Sequence, residues 1–324
     1  MNATREAASV RIPPLQYGRR PDGISAVLLP FTTRDAPDWN GFRHLLDRTW
    51  AAGLAPAVNM DTGYVHLLTP IERQRVLDET SDVAAGRRFV AGAFIEGRDG
   101  DPDALYLCEV ESIRRHGGTP ILFQCSQLAR LGEREVLNVY ARVASAGGPL
   151  LAFELGTMFA PFGRIYSSDL ISRLFELDAF VGLKHSSLDR ACEWTRLDLR
   201  DHLRADFHIY TGNDLAIDMM FYGSDYLLGL SAFSVEGFAT RDRLWSESDG
   251  RALAINDLLQ YLGQLAFRAP VPAYKHSAAQ FLHLRGVIAT DRPHPRSPRR
   301  PESDVPLLRD ISERIDAAIA ELGL

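Results

Sequence analysis

Lys184 closes the run Phe180-Val181-Gly182-Leu183, an apolar strand candidate, and an ammonium at that position is costly to desolvate, which drives its pKa down. A neutral lysine is a nucleophile. It attacks a carbonyl carbon to form a Schiff base, and the protonated imine then withdraws electrons and stabilises a carbanion on the adjacent carbon. The bland alternative is a structural lysine ion-paired with Asp61, Glu154 or Asp214. Glu154 follows Phe153 at the end of another apolar run and is a candidate general base or, equally, a cap or ion-pair partner. Asp61 ends a further run and can exchange protons or hold a substrate hydroxyl. Tyr64 and Tyr166 offer phenols, though packing in loops explains each as well. His185 directly follows Lys184 and points away from it if the strand continues, which favours packing or capping.

The elements that position these groups alternate. Eight short runs rich in Val, Ile, Leu and Phe (Ile24–Phe31, Leu54–Asn59, Arg88–Ile95, Pro120–Gln124, Leu150–Glu154, Phe180–Lys184, Phe207–Thr211 and Tyr226–Ser231) are separated by amphipathic segments such as Trp39–Ala52. Thr69-Pro70-Ile71-Glu72 reads as a helix start, with Thr69 as cap, Pro70 at the first helical position and Glu72 as capping-box partner. Eight βα units in about 210 residues predict an α/β fold, a closed (β/α)8 TIM barrel, over 24–235. An amino-terminal arm over 1–23 precedes it. A helical carboxy-terminal domain over 236–324 follows, with helices expected at Arg241–Phe267, Ala273–Val287 and Val305–Leu324. The proline- and arginine-rich stretch Ala289–Pro306 reads as a surface loop or a strap over a neighbour. In such a barrel the functional residues stand at the carboxyl ends of the strands.

Composition narrows the chemistry. A chain that is 46% hydrophobic and carries a net charge of −6 is a globular protein with no basic surface for nucleic acid. No run of about 18 apolar residues exists to span a bilayer, and the amino terminus lacks a signal-peptide core, so a cytoplasmic protein is expected. Three cysteines without a CxxC pair fit neither a disulfide framework nor a Cys-rich zinc site. Nine scattered histidines with no HxH after the first strand predict no metal. No GxGxxG or P-loop sequence is present, so no nucleotide cofactor is expected.

Val181-Gly182-Leu183-Lys184-His185-Ser186-Ser187-Leu188-Asp189 resembles the Schiff-base strand of the dihydrodipicolinate synthase and N-acetylneuraminate lyase family, V-G-[IL]-K-[DE]-[ST]-[ST]-x-D. Met60-Asp61-Thr62-Gly63-Tyr64 followed by Leu68-Thr69-Pro70-Ile71-Glu72-Arg73 is similar to the family's G-T-T-G-E loop and L-[ST]-x-x-E-R. Tyr210-Thr211-Gly212-Asn213-Asp214 resembles its G-x-D turn, and Lys275, Gly286 and Arg292-Pro293 resemble its carboxy-terminal signature. The resemblance runs in order over residues 24–324. It implies Lys184 as the nucleophile and Thr62-Gly63 as backbone donors to a keto acid carboxylate. It also implies assembly as a homotetramer or homodimer.

The departures are as informative. The family's proton-relaying tyrosine at the end of the fifth strand is Phe153 here, and a phenyl ring cannot transfer a proton. Asp61 stands where the family has a threonine, and its P-Y-[YF] has become Gln124-Cys125-Ser126. With Glu154 and Asp61 as replacement acid–base groups, substrate contacts are expected from Thr62, Gly63, Phe153, Cys125, Asn213, Ser231 and Arg164, the last as a bidentate clamp for a second carboxylate. The expected function is a Schiff-base lyase, hydro-lyase or aldolase acting on a 2-keto acid, of the pyruvate or 2-keto-3-deoxy sugar acid type, and not a true dihydrodipicolinate synthase. A silent relative that binds a small acid or serves in an assembly is the alternative. An enzyme using Asp61 and Glu154 as a carboxylate pair without an imine is a third reading.

Overall fold

The computed structural model describes residues 11–322, so the first ten residues of the expected arm lie outside it. Eight parallel strands, β1 (Gly23–Ala26), β2 (Ala55–Val58), β3 (Val90–Ala93), β4 (Thr119–Leu122), β5 (Leu150–Leu155), β6 (Phe180–Ser186), β7 (His208–Thr211) and β8 (Asp225–Leu228), follow one another round a closed barrel in which β1 pairs with both β2 and β8. Most are only four residues long. The apolar runs of β1 to β4 and β8 continue past the paired segment at their carboxyl ends, and those extra residues help to build the mouth.

Side chains alternate across the sheet with period two and so divide between two cores. Leu151, Phe153 and Leu155 of β5 face inward and join Ile24, Ala57, Val90, Ile121 and Leu227 in the barrel interior. Leu150 and Ala152 face outward and pack under the helices. Those helices are α1 (Trp39–Ala51), α2 (Pro70–Ala84), α3 (Pro102–Arg115), α4 (Ser126–Ala129), α5 (Glu133–Ala144), α6 (Ser168–Phe175), α7 (Arg190–Leu203) and α8 (Val235–Ser246). Between β7 and β8 a short 3-10 segment, Ile217–Tyr222, replaces a full helix. The start of α2 forms as expected: Thr69 Oγ1 accepts from Glu72 N at 3.2 Å, Glu72 Oε2 accepts from Thr69 N at 2.7 Å, and Pro70 opens the helix.

Three expectations change. The segment expected as one helix over Arg241–Phe267 is two, because Glu247 to Gly250 break it, with Ser248 at φ 59°. The first of the two, α8, packs on the barrel through Tyr226 against Phe238 and through the Arg48–Glu236 ion pair, so the outer ring extends beyond residue 235 to Ser246. The helices α9 (Arg251–Ala266), α10 (Tyr274–Leu284) and α11 (Val305–Ala320) follow. The stretch from 289 to 306 straps the chain's own barrel: Thr290 Oγ1 donates to Phe31 O at 2.6 Å, His294 packs edge-on to Phe31, and Arg300 Nη2 donates to Ala266 O at 2.8 Å. The described part of the amino-terminal arm is pinned beneath the barrel, where Gln16 N donates to Phe221 O and Arg19 pairs with Asp225.

Candidate active site

A cavity of about 270 Å³ opens at the carboxyl ends of the strands. Lys184 enters it from β6. Its amine has no hydrogen-bond or ion-pair partner among the described residues, and Nζ stands 4.6 Å from the ring centroid of Phe153, its direct partner on β5. Burial is the main reason its pKa falls to about 8, against the opposing pull of the Asp214 and Asp61 carboxylates. Gly212, directly after β7, makes room for it: a Cβ there would lie 2.6 Å from Lys184 Cε and also strike Ser186 Oγ.

The opposite wall is polar and comes partly from the carboxy-terminal extension. Asp61 stands in the 3-10 turn Asp61–Gly63 after β2 and accepts from Lys275 Nζ at 3.0 Å on each oxygen and from the Tyr274 hydroxyl at 2.9 Å. Burial works against its ionisation, yet Lys275 and His66 hold its pKa below the ordinary value. Thr62 Oγ1 lies 2.9 Å from the same Tyr274 hydroxyl. Burial and the Asp61 charge push the Tyr274 phenol well above its usual pKa, so it is a hydrogen-bond donor at neutral pH. Asp214 completes the wall. Burial raises its pKa to about 7 although its Oδ1 accepts from Leu230 N at 2.7 Å. Two carboxylates at one cavity thus titrate far apart, one staying ionised and one poised near neutrality, the pattern expected of separate roles.

Lys184, Asp61, Thr62 and Phe153 therefore meet at one cavity; the other expected site residues do not line it. Glu154 is the main correction. Period-two alternation sends it to the outer face, where it is fully buried and accepts from His185 Nδ1 at 2.5 Å, Arg196 Nε at 2.9 Å and Tyr166 N at 2.9 Å. Burial opposes ionisation there, but His185 and Arg196 hold the carboxylate well below its usual pKa, which suits a clamp on β5 and β6 and not a proton carrier. The pair of Asp61 with Glu154 is thereby excluded as a carboxylate couple. Cys125 packs in the outer core, with Sγ 3.7 Å from the Tyr106 hydroxyl. Arg164 gives its Nη1 to Leu131 O at 3.0 Å and its backbone N–H to Gln124 Oε1 at 2.7 Å, so it clamps no ligand in the cavity.

Asn213 closes a local turn on Leu215 N, and Ser231 ties β8 to β1 through Ser25 Oγ at 2.9 Å. The Gly63 N–H goes to Met60 O within its own turn. Of the two phenols considered, Tyr64 is buried beside Phe31 and His294, and Tyr166 pairs with the Tyr140 hydroxyl at 2.6 Å; neither lines the cavity. The residues that sequence reasoning missed are Tyr274, which lies 213 positions from Asp61, and Asp214 and Lys275 as members of the cavity wall. One signal was in plain view. The chain has only two lysines among its 36 lysines and arginines, and both line this cavity.

Solved structures share the whole architecture. A dihydrodipicolinate synthase from Thermotoga maritima matches at 16% identity with a TM-score of 0.77, covering 92% of this chain and 99% of that one. A prophage protein of the dihydrodipicolinic acid synthase family from E. coli K12, determined with pyruvate, matches at 15% identity and TM-score 0.79, covering 91% and 98%. The chloride-inhibited enzyme from Acinetobacter baumannii, also complexed with pyruvate, matches at 19% identity and TM-score 0.75, covering 92% and 99%. These likenesses establish the fold, in agreement with the resemblance carried by Val181–Asp189. No curated protein matches the sequence. The family model described as a protein of unknown function, DUF993, matches residues 30–290, and the chain belongs to that family, on a dihydrodipicolinate synthase-like barrel.

Proposed function

We propose that this protein is a Schiff-base lyase or aldolase in which Lys184 forms an imine with a 2-keto acid. The observation that carries the reading is an amine without a partner among the described residues, with a pKa of about 8, opening into a cavity at the carboxyl end of the barrel strands. Neutral Lys184 attacks the C2 carbonyl, and water leaves. Phe153, beside the amine, supplies an apolar wall and no proton.

Asp214, with a pKa of about 7, takes the C3 proton as the imine becomes an enamine and returns it afterwards. Tyr274, oriented by Thr62 and hydrogen-bonded to Asp61, relays the proton of the C4 oxygen: as the C3–C4 bond breaks, its oxygen takes the C4 hydroxyl proton while its own proton passes to Asp61, and bond formation runs the two transfers in reverse. Asp61, ionised at rest, anchors Tyr274 and Lys275 and takes up the relayed proton. The keto acid's carboxylate lies at Thr62 and Lys275, the neighbouring donors.

The test is proton exchange in D2O. Pyruvate incubated with the protein should exchange its C3 hydrogens, read by NMR, and Lys184→Ala should abolish the exchange. Asp214→Asn should slow it while Tyr274→Phe leaves it intact, since Tyr274 serves the later step. Binding of pyruvate without exchange in the native protein would favour the silent relative.

A further inference from the structure

The cavity is divided by chemistry. Its polar side comprises Asp61, Thr62, Asp214, Tyr274 and Lys275, contributed by the loops after β2 and β7 and by α10. Its other side is aromatic. Phe94 and Phe123 meet edge to face at 5.6 Å, Phe123 and Phe153 at 5.1 Å, and this series of rings along β3, β4 and β5 ends beside Lys184. Phe159 and Phe162 from the loop after β5 add to the apolar lining, while Phe267 after α9 stacks on Tyr274 at 4.3 Å and belongs to the polar side.

Resting on the imine reading, we propose that the substrate is a monocarboxylic 2-keto acid whose second half is apolar and aryl-sized, rather than a sugar acid or a dicarboxylate. An imine on Lys184 has the polar wall on one side and the ring series on the other. The carboxylate and reacting oxygen take the polar side, so the substituent beyond C3 is laid against Phe153, Phe123 and Phe94. Offset and edge-to-face ring contacts favour an aromatic group there. A hydroxyl chain in the same place would be buried without partners, at a cost of about tenfold or more in affinity for each unpaired hydroxyl.

A second carboxylate is disfavoured by charge. The cavity already holds the Asp61, Asp214 and Glu96 carboxyl groups. Of the cations, Lys275 is already shared between Asp61 and the keto acid's own carboxylate, Arg164 is spent on Leu131 O outside the cavity, and Lys184 is the nucleophile. No cation lining the cavity among the described residues is left for a remote anion. A cavity of about 270 Å³, near the lower end of small-molecule sites at about 300 Å³, suits one ring beyond a pyruvyl unit.

The experiment is a borohydride trapping competition. Equal concentrations of pyruvate, 4-phenyl-2-oxobutanoate, 2-oxoglutarate and 2-keto-3-deoxygluconate are offered together, and the adducts are resolved by intact mass. Each yield is normalised to the acid's reductive amination of a free lysine derivative. The phenyl adduct is expected to exceed those of the diacid and the sugar acid by about 10- to 200-fold, the range over which apolar pockets discriminate. Phe94→Ser and Phe159→Ser should each lower the ratio of phenyl to pyruvate adduct. Equal yields, or a dominant diacid or sugar acid adduct, would overturn the substrate class and leave the imine standing. No adduct from any of the four would overturn the imine, and the substrate class with it.

Discussion

The depressed pKa of Lys184 sets the pH dependence of imine formation. At a value of about 8, about a tenth of the amine is neutral at pH 7; at the ordinary 10.5, about 0.03% would be, so the site raises the nucleophile's population roughly 300-fold. The assay is the initial rate of pyruvate trapping by borohydride between pH 6 and pH 10, corrected for the reductant's own pH dependence. The rate should climb with a unit logarithmic slope below pH 8 and level off above it. Asp214→Asn sharpens the test. The Asp214 carboxylate favours the ammonium, so removing its charge should move the midpoint below 8. A midpoint near 10 in the native protein, or an upward shift in Asp214→Asn, would refute the account of burial opposed by a nearby carboxylate.

Three further outcomes follow from the geometry. Glu154→Gln leaves His185 and Arg196 without their buried counter-charge and should destabilise the protein by about 3–5 kcal/mol at neutral pH in denaturant melts. Because the Glu154 pKa is depressed on folding, its contribution is present above the unfolded value of about 4.3 and is lost as the pH falls through the lower folded value, so native and variant stabilities should converge in acid. Gly212→Ala should displace the Lys184 side chain and cut trapping by about 100-fold, since small misplacements of a reacting group cost that much; a normal rate would show that the space is not needed. Tyr274→Phe, assayed on a cleavable 2-keto acid, should lower kcat by about 100-fold with little change in KM, and an equal loss of trapping would reassign Tyr274 to imine formation.

The barrel was legible because eight apolar runs alternate with amphipathic ones, and the Thr69 capping box was legible because it is local. Lys184 and Phe153 were legible for a related reason: each ends or nearly ends an apolar run, so being inside the mouth follows from strand position. Glu154 was misplaced by one residue of phase. Phe153 facing inward requires its neighbour to face outward, a rule that sequence reasoning applied to His185 but not to Glu154. Cys125, Asn213, Ser231 and Gly63 follow strand ends as expected and Arg164 lies further along the loop after β5, but loop geometry turns each away from the cavity, and no spacing rule encodes that. Tyr274 could not be read at all from local pattern, because its role depends on α10 packing back over the β2 loop from more than 200 residues away. The scarcity of lysine is a compositional signal that would have pointed to both cavity lysines without any structure.

That scarcity also makes imine formation at Lys184 easy to test. With only Lys184 and Lys275 available besides the amino terminus, peptide mapping of the pyruvate adduct after borohydride reduction has few possible answers. A single stoichiometric adduct is expected on Lys184, with none on Lys275, which Asp61 holds, and none in Lys184→Ala. An adduct on Lys275, or a native protein that reductant and keto acid leave unmodified, would contradict it.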